Sequence, residues 1–213
     1  MSRTKLPIAT VLLSAAALIW SLPRSAPAEP APASAKPEAA TSDKESPAGA
    51  AAKNILVNPG FEEGDKSPKE WKEGASIDGV EYLWDRKQGK KGKASLALNK
   101  TANRFFPIAQ WYQIVERKAG SKSLEVSAQV KAESASKAII DVIFLDENSK
   151  MLSHEWASYI GAKEAGDKPA THDWKEYSGK VKIPPEARKI QIGLQIYGPG
   201  KVWFDEVHAE YVE

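Results

Sequence analysis

The sequence predicts an all-β fold, a two-sheet antiparallel β-sandwich over residues 54–213, and three observations predict it. First, the hydrophobic pattern has period two. Leu124, Val126, Ala128 and Val130 alternate with Glu125, Ser127, Gln129 and Lys131, and Ile190, Ile192, Leu194 and Ile196 alternate with Gln191, Gly193, Gln195 and Tyr197. Successive strand side chains point to opposite faces, so this is how a strand with one buried face reads. Second, such segments recur at short intervals, separated by clusters of Gly, Pro, Asn, Asp and Lys. Third, no stretch of this region carries the 3.6-residue period of an amphipathic helix, and strands without crossover helices stack as two antiparallel layers.

Taken in order, the expected strands are residues 94–99, 109–115, 124–131, 138–146, 154–160, 173–180, 190–197 and 202–211. Residues 138–145 are apolar on both parities except at Asp141, which predicts a central strand covered on both faces. Pro184 and Pro185 cannot donate ladder hydrogen bonds and mark a loop between strands. Gly161, Gly166, Asp167 and Pro169 make residues 161–170 a long exposed loop.

Ahead of this domain the composition changes twice. Arg3 and Lys5 precede an apolar run from Ile8 to Trp20, and Ala26-Pro27-Ala28 ends it with small residues, the layout of a secretory signal cleaved after Ala28. Leu22 and Pro27 leave an uncleaved N-terminal anchor as the alternative. From Pro23 to Asn54 there is no Ile, Leu, Val, Met or aromatic residue, so residues 29–53 have nothing to bury and read as an Ala/Pro-rich disordered linker. The predicted locations are therefore secreted, periplasmic or cell-surface, with membrane contact only through an uncleaved N-terminus.

Charge and cysteine content narrow the function classes. The chain has 30 Lys+Arg against 28 Asp+Glu; the three charges of residues 1–28 are all basic, so the mature protein carries 27 against 28. That balance, with no clustered basic face, argues against a nucleic-acid partner. The absence of cysteine excludes disulfides and thiolate chemistry. His154, His172 and His208 have no metal-binding spacing, no nucleophile elbow or phosphate loop occurs, and the adjacent acids Glu62 and Glu63 do not specify a glycosidase pair. The expectation is a non-catalytic protein.

Four segments resemble a known family: Asn58-Pro59-Gly60-Phe61-Glu62-Glu63-Gly64 with Trp71, Gly92-Lys93-Ala94-Ser95-Leu96, Trp111-Tyr112-Gln113-Ile114-Val115, and Gly198-Pro199-Gly200-Lys201-Val202-Trp203-Phe204-Asp205-Glu206-Val207. Their order is similar to bacterial carbohydrate-binding modules of families four and nine, which share a galactose-binding-like jelly roll. The resemblance implies that the first loop meets the last strand and that a structural calcium sits between them. Glu62 and Asp205 match its ligand positions, with the carbonyls of Asn58 and Lys93 as further candidates. The alternative is that Glu62 and Asp205 accept backbone N–H bonds in a tight turn. Asp205 also sits where the alternation of its strand falters, as at a bulge.

A sugar site needs flat aromatic rings to stack on apolar pyranose faces and amides or charges for directed hydrogen bonds. Of the tryptophans, Trp71, Trp111, Trp174 and Trp203 lie in fold motifs or strand repeats and are assigned to the scaffold. The candidate carbohydrate contacts are Tyr82 and Trp84, which share a parity; Trp156 and Tyr159, which border the 161–170 loop; and Gln191, Gln195 and Tyr197, on the polar face of their strand. Paired glutamines there resemble those lining the binding face of the cellulose-module branch. Gln129 and Lys131 extend that surface if their strand is adjacent. The expected partner is a polysaccharide or glycan; an envelope protein-interaction or structural domain without a sugar site is the alternative.

Overall fold

The computed structural model describes residues 53–162 and 167–213, which fall within one compact unit, Pro47–Glu213. The expected export segment, 1–28, and nearly all of the linker lie outside the described residues. Among the described residues there are ten strands: β1 Lys72–Glu73, β2 Val80–Asp85, β3 Ser95–Lys100, β4 Ala109–Glu116, β5 Ser123–Ala135, β6 Lys137–Leu145, β7 Met151–Gly161, β8 Ala170–Lys182, β9 Lys189–Ile196 and β10 Gly200–Val212. They form two five-stranded antiparallel sheets, in the orders β1-β4-β9-β6-β7 and β2-β3-β10-β5-β8. The expected all-β sandwich is therefore what the chain forms. The eight strands read from the alternation are all present, while β1 and β2 were not among them.

One core lies between the sheets. Leu124, Val126, Ala128, Val130 and Ala132 of β5 enter it from one side, and Ile190, Ile192, Leu194 and Ile196 of β9 from the other. Burial of such aliphatic side chains, about 1.5–3 kcal/mol each, is the main favourable term available to a chain without cysteine. Strand β6 lies between β9 and β7. Ala138, Ile140, Val142 and Phe144 face the core, and on the opposite parity Ile139 and Asp141 are also buried, so both faces of β6 are covered. That opposite cover is where the candidate site lies.

The seam between the first loop and the last strand closes as the resemblance implies. Ile55 N–H donates to Ala209 O at 2.9 Å and Val207 N–H to Pro59 O at 3.0 Å. Asn54 clamps the same stretch, donating through Nδ2 to Val207 O and accepting from Ala209 N–H through Oδ1. Strand β10 changes register between Asp205 and His208, with Glu206 at φ 47°. The bulge shifts the inward parity from Val202 and Phe204 to Val207 and Ala209, which is why the alternation falters there.

Pro184 and Pro185 do fall between strands, β8 and β9, and the Arg117 guanidinium donates to the carbonyls of Pro184, Pro185 and Ala187. Gln129 and Lys131 do not extend the glutamine face, because β5 belongs to the other sheet. There Lys131 lies over the Trp203 ring, 5.6 Å from its centroid, and Gln129 donates to Glu176.

Candidate glycan-binding face

The face of the β1-β4-β9-β6-β7 sheet turned away from the core gathers five of the seven predicted sugar contacts. Register sets the rows: Gln195 of β9 lies between Gln110 of β4 and Ile139 of β6, Gly193 lies between Tyr112 and Asp141, and Gln191 lies between Ile114 and Ile143. Beyond β6, Ile139 is opposite Tyr159 and Asp141 opposite Trp156. The irregularity between Ile140 and Asp141 lets Trp156 and Tyr159, three residues apart, serve the same face.

A polar network crosses the middle of this face. Gln195 Nε2 donates to Gln110 Oε1 at 3.0 Å and to Asp141 Oδ2 at 2.9 Å. Both amide hydrogens are thus used, while Gln195 Oε1 is buried without a partner. His154 Nδ1 meets the other Asp141 oxygen at 3.2 Å, an arrangement in which the ring nitrogen donates. Burial raises the Asp141 carboxyl above its ordinary range, against the lowering pull of His154, the Gln195 amide and the Val142 N–H. Gly193 makes room for the network. A Cβ there would stand 2.9 Å from Gln110 Oε1 and 3.3 Å from Gln195 Nε2.

Next to the network is an aromatic cluster. Trp156 makes edge contacts with Tyr159 at 5.2 Å and Tyr197 at 6.2 Å between ring centroids, and Phe106 meets Tyr197 at 6.1 Å. Trp156 is 38% exposed and Phe106 67%, the former on a strand and the latter on the loop between β3 and β4. That loop is tied down by buried Lys100, whose Nζ donates to the carbonyls of Phe105, Pro107 and Tyr197. Burial and the neighbouring Arg104 hold the Lys100 ammonium below its ordinary pKa. Lys137 Nζ stands over three rings, 4.8 Å from Trp156 and 5.2 Å from both Tyr159 and Tyr197.

Tyr82 and Trp84 do not join this face. They lie on β2 in the other sheet and pack against the core. Trp84 Nε1 donates to Phe61 O at 2.9 Å, and the Tyr82 hydroxyl donates to Ala75 O. Their shared parity is real, but it points inward, because β2 is an edge strand whose apolar side covers the sandwich. Trp71, Trp111 and Trp203 are buried scaffold as expected, and Trp174 is half-buried on β8.

The four expected calcium ligands are placed as follows. Asp205, fully buried, accepts from Lys90 and Lys91 N–H through Oδ2 and from Glu206 N–H through Oδ1. Glu62 Oε1 accepts from Lys93 and Ala94 N–H at 2.6 and 2.8 Å. The Asn58 carbonyl accepts from Phe61 N–H and the Trp71 indole, and Lys93 presents its N–H, rather than its carbonyl, to Glu62. A calcium ion needs six to eight oxygens turned toward it. Here most of those oxygens accept from N–H donors. As placed, Glu62 and Asp205 clamp the 90–94 loop, the tight-turn alternative of the sequence.

Solved structures place this geometry in a known context. The chain superposes on the CBM22-1 xylan-binding domain of Paenibacillus barcinonensis Xyn10C with TM-score 0.51 and 18% identity, covering 76% of this chain and 96% of that one. The C-terminal family 22 carbohydrate-binding module of Clostridium thermocellum Xyn10B gives 0.51 and 13%, over 74% and 93%. The fold is the one these sugar-binding modules share. It also matches the enzymatically active domain of bacteriophage CBA120 tailspike protein 4 with TM-score 0.51 and 16% identity, over 75% of this chain and only 21% of that one. Both modules are of family 22, so the likeness supports the carbohydrate-binding-module fold and leaves families four and nine to the motifs. No protein-family model matches the chain, and no curated protein sequence does.

The sequence missed Phe106, Lys137, Gln110 and the Asp141–His154 pair. Arg104-Phe105-Phe106-Pro107, two aromatics before a proline between strands, was a legible signal for an exposed aromatic loop. Asp141, the one charge in an apolar strand, was another, since such a charge needs partners.

Proposed function

We propose that this domain is a non-catalytic glycan-binding module whose ligand lies along the β4-β9-β6-β7 face. The observation that carries the reading is the union of an exposed ring, Trp156, with Tyr159, Tyr197 and the Gln195–Asp141–His154 network on one sheet. Stacking supplies affinity there and the half-exposed His154 imidazole, oriented by Asp141 and Gln195, supplies direction, which is what a sugar requires. That one structural neighbour is a xylan-binding domain and another a carbohydrate-binding module supports this reading. The kinship with families four and nine rests on the motifs at residues 58–64 and 198–207. Export by residues 1–28, placing the module in the periplasm, the medium or at the cell surface, belongs to the same proposal.

Glu62 and Asp205 serve, in this proposal, as direct clamps on the 90–94 loop, replacing the expected calcium. The second reading, an envelope protein-interaction domain, draws on Phe105 and Phe106, 47% and 67% exposed. A glycan array and an insoluble-polysaccharide pull-down with the full chain separate the two. Retention on a defined polysaccharide supports the module; no retention together with stoichiometric capture of one envelope protein supports the alternative.

A further inference from the structure

Lys137 is an amine surrounded by aromatic rings with no carboxylate of the described residues beside it. Its Nζ faces Trp156, Tyr159 and Tyr197 at 4.8, 5.2 and 5.2 Å from their centroids. No carboxylate of the described residues lies within ion-pair distance of it. Asp141, on the same strand, is four residues away, roughly 13 Å along an extended chain, and is already engaged by Gln195 and His154. Arg104 adds an exposed guanidinium two residues before Phe106, on the loop that meets Tyr197, and it too is without a carboxylate partner among the described residues.

Two consequences follow from elementary electrostatics. A cation held on ring faces gains about 0.5–2 kcal/mol per contact, so a neutral pyranose that stacked on those faces would first have to displace the amine. An anionic sugar would instead keep the amine in place and offer it a counter-charge, in a charge-assisted hydrogen bond.

We propose that this face selects acidic glycans, with the anionic group, a uronate carboxylate or a sulfate ester, bound at Lys137 and the sugar ring laid on the exposed part of Trp156. The inference rests on the glycan-binding reading above and names its ligand class. Trp156 supplies the apolar surface, Lys137 and Arg104 the positive end, and the half-exposed His154 ring, held by Asp141, a hydroxyl contact on the same face.

The test is affinity electrophoresis of the full chain in gels containing polygalacturonate, dextran sulfate, neutral xylan or neutral dextran. The expected result is retardation on an acidic polymer that fades with added salt, and about tenfold weaker retardation in Lys137→Gln, equivalent to about 1.4 kcal/mol. Lys137→Arg should restore it. Lys175→Gln, which removes a charge from β8 in the other sheet, should behave as wild type. Polygalacturonate without dextran sulfate retention assigns the uronate, and the reverse assigns the sulfate. Equal retardation on neutral and acidic polymers, or acidic retardation unchanged in Lys137→Gln, overturns the acidic preference alone. Retardation on no polymer of either kind overturns the glycan-binding reading beneath it.

Discussion

The side-chain amide of Gln195 on β9 donates to the buried carboxylate of Asp141 on β6 at 2.9 Å, joining two neighbouring strands across the face that bears Trp156. The pair fixes the amide orientation, since Asp141 and Gln110 Oε1 both demand a donor. It also holds His154 through the second carboxylate oxygen.

Removing either partner orphans the other. Asp141→Ala leaves the Gln195 Nε2 hydrogen and His154 Nδ1 without an acceptor and should cost about 1–3 kcal/mol, read as a lower urea midpoint. Gln195→Ala should cost less in the Asp141→Ala background than in wild type, because the interaction is then already lost. Strict additivity of the two would contradict the network.

Gly193 tests the same arrangement from the backbone. A methyl group there stands 2.9 Å from Gln110 Oε1, too close to stay. Gly193→Ala should displace Gln110 and lower the thermal midpoint, with shifted amide signals from Gln110 and Gln195 in NMR spectra. Unchanged signals would mean that the glycine is not required by its neighbours.

The strand reading succeeded where one face was wet and one buried, as along β5 and β9, because there burial itself writes the alternation. It failed at β2, where Tyr82 and Trp84 share a parity but point into the core. Periodicity reports that two residues lie on one face without saying which face is buried, and an edge strand's inner aromatics read like an outer platform. Gln191, Gln195 and Tyr197 were placed correctly because the opposing row is uniformly Ile and Leu. The Asp141–His154 contact was out of reach for a different reason. It depends on the β6–β7 register with its irregularity after Ile140, which no local pattern specifies.

Lys100 holds the Phe106 loop with one buried ammonium and three carbonyls. Lys100→Met should release the loop, costing about 1–3 kcal/mol for the orphaned acceptors and raising hydrogen exchange across residues 101–107. Protection unchanged in that segment would show that Phe106 is positioned by other contacts.

Asp205 gives a pH dependence with a definite sign. Burial, reinforced weakly by Glu206 and opposed by three N–H donors, raises its carboxyl to about 6. A carboxyl so raised holds its proton in the folded state where the unfolded chain has lost it. Its contribution is therefore full below about pH 4 and is lost as pH rises through about 6. The thermal midpoint should rise between pH 7 and pH 5, less so in Asp205→Asn, and a chelator should leave it unchanged at both values. A midpoint that falls with chelator and recovers with calcium would contradict the direct clamp.

The central claim is that sugar is held on the Trp156 face of the β4-β9-β6-β7 surface, and the most direct measurement compares two single substitutions, one per sheet. Trp156→Ala and Gln129→Ala, in the full chain and checked for equal thermal midpoints, are titrated with the polysaccharide that retains the wild type. The account predicts at least about tenfold weaker binding for Trp156→Ala and wild-type binding for Gln129→Ala. Loss of binding in Gln129→Ala with Trp156→Ala unaffected would place the ligand on the opposite sheet and contradict the account.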